Sequence, residues 1–276
     1  MLHAEAAARG PLLVTPHRAP EALFGLTPVE VDGDTARGTM RTAEWMTDPA
    51  GAPAAGMLGV LLDDVVGQAT LTARPDGGWP VTTELSIDVV GGLPVNGSVL
   101  TAGSRLLAAS TRHATACGEV RAPGGDVLAV ATLSTHYVPG VPDLDGVVPA
   151  DAPDRPPPGL RLHEVLGATL ESTPGHGALL VVPPGPEVGN VAGHGHGGIL
   201  AALADVVAAA AVADGGHPLR TASLRVAYLR PAVLEGPVRL RAAVVHRGRA
   251  TAVTRVDVTG GDGRLCAAAT VTAAAP

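Results

Sequence analysis

The densest gathering of chemically useful residues in the chain is Asn190-Val191-Ala192-Gly193-His194-Gly195-His196-Gly197-Gly198, and an acid, Asp205, follows His196 by nine residues (205 − 196). Gly197 and Gly198 let the backbone turn sharply and approach a ligand closely. They open an apolar helical stretch whose first N–H groups have no partner within the helix. Such groups, reinforced by the helix dipole, polarise a carbonyl and hold the oxyanion formed when it is attacked. Asp205 falls about two turns into the helix, where a lone carboxylate is costly and Asp is a poor helix former. A water awaiting deprotonation would compensate it, and desolvation would raise the pKa of such a base. The plainer reading is a buried acid satisfied by backbone or by a neighbour on the helix.

These residues need a scaffold, and an internal repeat provides one. In the first half, Gly56-Met57-Leu58-Gly59-Val60-Leu61-Leu62-Asp63-Asp64-Val65-Val66 leads to Thr83-Glu84-Leu85-Ser86-Ile87. In the second, Gly197-Gly198-Ile199-Leu200-Ala201-Ala202-Leu203-Ala204-Asp205 leads to Ala222-Ser223-Leu224-Arg225-Val226. The offset is 141 at the acid (205 − 64), 139 at the strand (224 − 85) and 136 at a hairpin signal (Gly260 against Gly124). A slowly drifting offset marks a duplicated domain. Seven prolines between Pro139 and Leu160 place a Pro-rich linker at 141–159, with one copy over 1–140 and the other over 160–276.

Each copy reads as a short strand region, a Gly-led helix, then alternating runs separated by turn signals. In the second copy the runs are Leu219–Leu229, Val238–His246, Thr251–Thr259 and Leu265–Thr272. One helix followed by an antiparallel meander is an α+β unit. The helix over 198–213 is apolar nearly all round, which predicts a sheet curved about it. Two copies pairing their sheets edge to edge would cover edges that otherwise invite aggregation.

Composition narrows the function classes. The chain is 46% hydrophobic yet has one Phe, two Tyr and two Trp, so its core is aliphatic. A net charge of −7 without a basic stripe excludes nucleic acid as a partner. No uninterrupted apolar run reaches the ~18 residues of a membrane span, and Pro11-Leu12-Leu13-Val14 is too brief for a signal peptide's apolar core. Cys117 and Cys266 sit in strand-like runs as small buried thiols, which points to a reducing cytoplasm. His194 and His196, with His176, lack further ligands on a defined scaffold, so no metal is expected. No Gly-x-Ser-x-Gly elbow is present, and Ser104 and Ser110 in strand patterns do not suggest a nucleophile.

The second copy resembles the PaaI-type acyl-CoA thioesterases of the hotdog superfamily, whose motif is Asn-x-x-Gly-x-x-His-Gly-Gly with an acid nine residues after the His. Asn190, Gly193, His196, Gly197, Gly198 and Asp205 match it, and the resemblance runs from about Gly189 to the C-terminus, through Tyr228-Leu229-Arg230-Pro231 and His246-Arg247-Gly248-Arg249. It implies two fused hotdog domains forming an intramolecular pseudo-dimer. It also implies hydrolysis of an acyl-CoA thioester to free acid and coenzyme A, with no cofactor beyond the coenzyme A of the substrate. By the same resemblance Asp205 activates water, Gly197 gives an oxyanion N–H, Asn190 and His196 orient the reactants, Gly198 lies against the substrate, and double hotdogs pair further into a homodimer. Arg230, Arg247 and Arg249 are candidates for coenzyme A phosphates, with a solvated sheet edge as the equal alternative.

The first copy departs from the motif. Asp48-Pro49-Ala50-Gly51-Ala52-Pro53-Ala54-Ala55-Gly56 keeps an Asx-type residue and glycines but has no His. Because the family's site joins the loop of one unit to the acid of the other, two composite sites arise. One joins Asn190, His196 and Gly197 to Asp63 or Asp64; the other joins Asp205 to the N–H groups near Gly56 and Met57. The first owns the intact loop. A non-catalytic acyl-CoA binder and a hotdog dehydratase or hydratase are the rival readings, the latter without an Asp-x-Asn-x-x-His segment to support it.

Overall fold

The computed structural model describes residues 18–140, 156–173, 177–213 and 218–276. Pro11–Val14, His176 and most of the Pro-rich linker lie outside the described residues. A short helix α1 (Ala19–Leu23) precedes strands β1 (Glu30–Asp32) and β2 (Thr35–Arg41), a 3-10 turn (Ala55–Met57) and helix α2 (Leu58–Leu71). Strands β3 (Gly78–Val89), β4 (Val99–Ala109), β5 (His113–Arg121) and β6 (Val127–Pro139) complete the first half. The second half repeats the order: α3 (Leu162–Val165), β7 (Thr169–Thr173), β8 (Gly177–Val182), a 3-10 turn (Pro186–Val188), α4 (Gly197–Val212), then β9 (Arg220–Tyr228), β10 (Val238–Arg247), β11 (Thr251–Thr259) and β12 (Leu265–Ala274).

All strands join one antiparallel sheet in the order β1-β2-β4-β5-β6-β3-β9-β12-β11-β10-β8-β7. Each half curves about its own helix. Along β11 the inward residues Ala252, Thr254, Val256 and Val258 are buried while Arg255 faces solvent, the period-2 pattern of a sheet with one covered face. The core is aliphatic, with Leu, Val, Ile and Ala of α2 and α4 against the inner faces of both halves. No helix among the described residues is long and apolar enough to cross a membrane.

The halves meet where β3 pairs with β9 in a register centred on Ser86 opposite Arg225. These two positions differ by 139, the repeat offset of the strands, so an approximate two-fold axis passes between them. Beneath this junction α2 and α4 cross in close contact. A Cβ built on Gly198 would lie 2.6 Å from the Gly59 carbonyl oxygen and 2.6 Å from the Val60 Cα, and one on Gly56 would lie 2.7 Å from the Ala202 Cα. The glycines that open both helices are therefore required by backbone approach.

That contact gives opposite expectations for two glycine-to-alanine changes. Gly198→Ala drives a methyl into backbone atoms that cannot yield, and costs about 1–3 kcal/mol or more. Gly67→Ala, within α2 and with nothing within 4 Å of its added Cβ, gains about 0.5–1 kcal/mol. Denaturant midpoints at unchanged m-value measure both.

Candidate active site

The loop that precedes α4 is built by its own polar groups. Asn190 Oδ1 accepts the N–H groups of Ala192 and His194, each at 3.0 Å, and Gly193 takes a left-handed conformation with φ +77°. The first half repeats this geometry at an offset of 142. Asp48 Oδ1 accepts the Ala52 N–H at 2.9 Å, Gly51 has φ +86°, and the bridge between Thr47 and Pro53 matches that between Gly189 and Gly195. Asn190 thus holds the loop, as Asp48 holds its twin, and its Oδ1 is directed into the loop instead of toward a substrate.

His196 is the N-cap of α4, with its Nδ1 3.0 Å from the Gly198 nitrogen. The same N–H lies 2.9 Å from Oδ2 of Asp63, which reaches across from α2. Thr82 on β3 donates to the other oxygen of Asp63 at 3.3 Å. The Tyr228 hydroxyl at the end of β9 donates to the Gly197 carbonyl at 2.8 Å and so anchors the first peptide of α4. On the far side of the imidazole, His196 Nε2 lies 3.0 Å from Oε1 of Glu21 in α1.

The reciprocal arrangement exists at the opposite end of the two helices. Asp205 accepts the Gly56 N–H at 2.8 Å and the Thr221 hydroxyl at 2.5 Å. Thr82 and Thr221 differ by 139 and play the same part. The structural counterpart of Asp205 is therefore Asp63 (205 − 63 = 142), and the alignment to Asp64 at an offset of 141 is corrected by one residue. It is Asp63 that meets the α4 terminus; Asp64 lines the adjoining cavity.

The two ends differ in what surrounds the acid. Beside Asp63 is a cavity of about 140 Å³ lined by Asp64, Gln68, Leu71, Trp79, Thr82 and Thr135. The space beside Asp205 is about 10 Å³, too small to seat a reacting group, and Asp205 is 1% exposed. Positions 54 and 55 explain part of this difference, since Ala54 stands where the other loop has His196 and Ala55 where it has Gly197. A Cβ on Gly197 would sit 2.9 Å from Asp63 Oδ2, so a side chain there would press on the acid. The first-half site is closed, and the expectation that Asp205 activates water at the Gly56 and Met57 N–H groups meets a sealed carboxylate serving as a cap.

Electrostatics follow burial and partners. Burial pushes Asp205 up to about 6 against the opposing hydrogen bonds from Thr221 and Gly56. Burial likewise raises Asp63, while the His196 charge, the Gly198 N–H and Thr82 pull it down. Burial raises Tyr228 well above its usual value, with the Asp63 charge adding to it. For His196 burial alone would lower the pKa, but the Glu21 hydrogen bond and the charges of Glu21, Asp63 and Asp64 outweigh it and raise it to about 9. Glu21 is held at about 2, its burial being overcome by the His196 hydrogen bond and charge and by backbone donors.

The three arginines do not share one end of the sheet. Arg230 follows β9 on the Tyr228 side, with Gly197 and Asp63. Arg247 ends β10 opposite Ala252, on the side where β9 begins at Arg220, beside Asp205. Arg249 lies in the turn after β10, so a joint phosphate cradle of Arg230, Arg247 and Arg249 is ruled out by the strand directions. A hollow of about 1040 Å³ is lined by Arg37, Arg105, Glu119 and Thr132 of the first half, without any of the residues of the composite sites. Among the described residues no group of three His, Cys, Asp or Glu side chains is placed to hold a metal ion.

Residues 192–267 match the family model described as the thioesterase superfamily. Solved structures extend the likeness to nearly the whole chain. A TesB protein of Mycobacterium avium subsp. paratuberculosis superposes with a TM-score of 0.63 at 14% identity, covering 90% of this chain and 95% of that one. The chain is a double hotdog. The acyl-CoA thioesterase II TesB2 of Mycobacterium marinum (TM-score 0.62, 13% identity, 94% and 98% covered) and the 12:0-ACP thioesterase of Umbellularia californica (0.59, 12%, 87% and 94%) share the double-hotdog fold. No curated protein sequence matches the chain.

Sequence reading missed Glu21 and Tyr228 as parts of the site. Tyr228 lay within the stretch that carried the resemblance, without a role. Glu21 is 175 residues from His196, on a five-residue helix, and no local pattern announces their contact.

The sealed acid carries a pH signature. A folded-state pKa above the unfolded one means that the folded chain keeps a proton the unfolded chain has lost, so stability falls as pH rises from about 4 through about 6. Asp205→Asn keeps an acceptor for Gly56 and removes this slope. The difference in melting temperature, variant minus parent, should rise between pH 4 and pH 7, with turnover at pH 8 within about threefold of the parent because Asp205 lies at the closed end of the helix crossing, away from the cavity beside Asp63.

Proposed function

We propose that the chain hydrolyses acyl thioesters of the acyl-CoA class at one composite site, formed by Asp63 of the first half and the His196-Gly197-Gly198 terminus of α4 in the second. The observation that carries this reading is a half-buried carboxylate set against a glycine-led helix N-terminus beside a cavity of about 140 Å³. Its match to the thioesterase superfamily over residues 192–267, within a double-hotdog fold, supports the same chemistry.

In this mechanism the ionised Asp63 takes a proton from water, and the water oxygen bonds to the thioester carbonyl carbon. Negative charge passes to the carbonyl oxygen, where the Gly197 N–H, the dipole of α4 and the adjacent imidazole stabilise it. Collapse of the tetrahedral intermediate breaks the C–S bond. The proton held by Asp63 then returns to the departing coenzyme A thiolate, giving free acid and thiol. Gly198 N–H and Thr82 hold the two oxygens of Asp63, which fixes the direction of its free lone pairs. Tyr228 keeps the Gly197 peptide from turning. Gln68, whose buried Oε1 has no hydrogen-bond partner, lines the same cavity and supplies an acceptor for the water's second proton or for a polar group of the substrate. Arg230 is the one of the three arginines on this end, where the phosphates of coenzyme A would pass.

Free-thiol release from acetyl-, hexanoyl-, palmitoyl- and benzoyl-CoA tests the reading. Turnover is expected, and Asp63→Asn should lower kcat by about 10²–10⁴, the usual contribution of a positioned general base. Binding of an acyl-CoA without thiol release from any of the four would replace the hydrolase with a binding protein.

A further inference from the structure

Glu21 belongs neither to the motif nor to the segment that matches the thioesterase superfamily, yet its carboxylate is buried against the imidazole that caps α4. Its residue exposure is 8% and that of His196 is 5%. Oε1 of Glu21 lies 3.0 Å from Nε2, and Oε2 accepts the Arg18 N–H at 2.9 Å. Nδ1 on the opposite side of the ring lies 3.6 Å from Oδ2 of Asp63. The imidazole thus stands between two carboxylates, one from each side of its ring.

We propose that Glu21 is a positioning residue that holds the His196 imidazole in its charged form against Asp63, and so keeps Asp63 ionised in a buried site. This rests on the reading of Asp63 as the base. In the charged state Nε2–H donates to Glu21 and Nδ1–H faces Oδ2 of Asp63 across 3.6 Å, so that the Gly198 N–H, which lies 2.9 Å from Asp63 and 3.0 Å from Nδ1, is given to Asp63 alone. In the neutral state Nδ1 becomes an acceptor and takes part of that N–H instead. Burial works against the charge on both His196 and Asp63, and a second carboxylate is what tips the balance toward the ion triplet.

The other half of the molecule serves as an internal control. Arg161 and Glu164 repeat Arg18 and Glu21 at an offset of 143, and Glu164 also caps its own short helix, with Arg161 N–H at 2.6 Å. The residue at the His196 position there is Ala54, the N-cap of the 3-10 turn before α2. Without an imidazole to meet, Glu164 is exposed. A helix-capping glutamate alone does not require burial; a partner histidine does.

Every charged or titratable neighbour bears on the outcome. Glu21 of α1, and Asp63 and Asp64 of α2, act on His196. His196 of α4, Asp64 and Tyr228 of β9 face Asp63, with Thr82 of β3 as its neutral donor. Arg18 at the N-cap of α1, Glu187 of the turn Pro186–Val188, His194 of the loop, Asp205 of α4, Glu84 and Asp88 of β3, and Arg220 and Arg225 of β9 are further charged or titratable side chains on these elements. A cation beside a carboxylate lowers its pKa, so loss of the imidazole charge raises that of Asp63 and moves the acidic limb of kcat/KM to higher pH.

The test compares wild type, Glu21→Gln and Glu21→Asp by nitrogen-15 NMR of labelled imidazoles, with His196 assigned from a His196→Gln sample, and by pH profiles of thiol release. The wild-type His196 is expected to be an imidazolium at pH 7. In Glu21→Gln the imidazole should titrate at or below the acidic limb, so that the limb moves upward, with Glu21→Asp recovering part of both shifts. A purely structural Glu21 would lower the melting temperature and kcat at every pH and leave the limb in place, which overturns the proposal. A neutral His196 at pH 7 in the wild type overturns it without recourse to any variant. If no substrate releases thiol, the hydrolase reading falls, and the imidazole titration in wild type and variants alone decides whether Glu21 holds the charge.

Discussion

Two helices in this chain end each other. Each places a carboxylate, Asp63 or Asp205, on the N-terminus of its partner, and the exchange is possible because glycines at 56, 59 and 198 let the backbones come together under the β3–β9 junction. An isolated helix N-terminus leaves donors unpaired, and an isolated buried acid leaves a charge without solvent. Crossing the helices lets one defect correct the other. The twelve-stranded sheet, its curvature and the pairing of the halves all serve to hold this crossing in register.

The two ends of the crossing began as equals and are no longer so. Loop shape survives in both halves, down to the Asx-type hydrogen bond and the left-handed glycine at 51 and 193. What differs is small: alanines at 54 and 55 in place of His196 and Gly197. Ala55 carries a methyl at the position equivalent to Gly197, where an added Cβ would lie 2.9 Å from Asp63 Oδ2, and no imidazole stands at the position equivalent to His196. One end keeps a cavity; the other is filled by its own scaffold. Under the proposed function, stability and reactivity divide between two copies of one device.

Much of this was visible in the order of residues. Alternation and turn signals in 219–272 gave the strands of the second half nearly to their ends, because each has one face on an aliphatic core and one in solvent. The repeat offset at Leu85 and Leu224 makes Ser86 and Arg225 equivalent positions, and the structure sets them opposite each other where β3 pairs with β9. Two things were not readable. The acid pair Asp63-Asp64 offers two alignments one residue apart, and about 100° around the helix axis separates their side chains, so only the crossing decides that Asp63 reaches Gly198. The separation of Arg230 from Arg247 and Arg249 depends on strand direction, which a motif written along one line conceals.

The histidine of the loop shows why position along a motif is weaker than environment. Read alone, a His followed by two glycines before a helix is a candidate to touch a substrate carbonyl. In the fold its ring is buried, with Nδ1 toward the helix terminus and Asp63 and Nε2 toward Glu21, so both nitrogens are engaged by protein. In the proposed mechanism its effect on a reacting carbonyl is that of a fixed charge near the oxyanion. A buried charge of this kind persists only where an opposite one is held beside it. The element that provides it, α1, lies in the first half, so the intact loop of the second copy meets the first copy twice: Asp63 of α2 at the Gly198 N–H and Glu21 of α1 at the His196 imidazole.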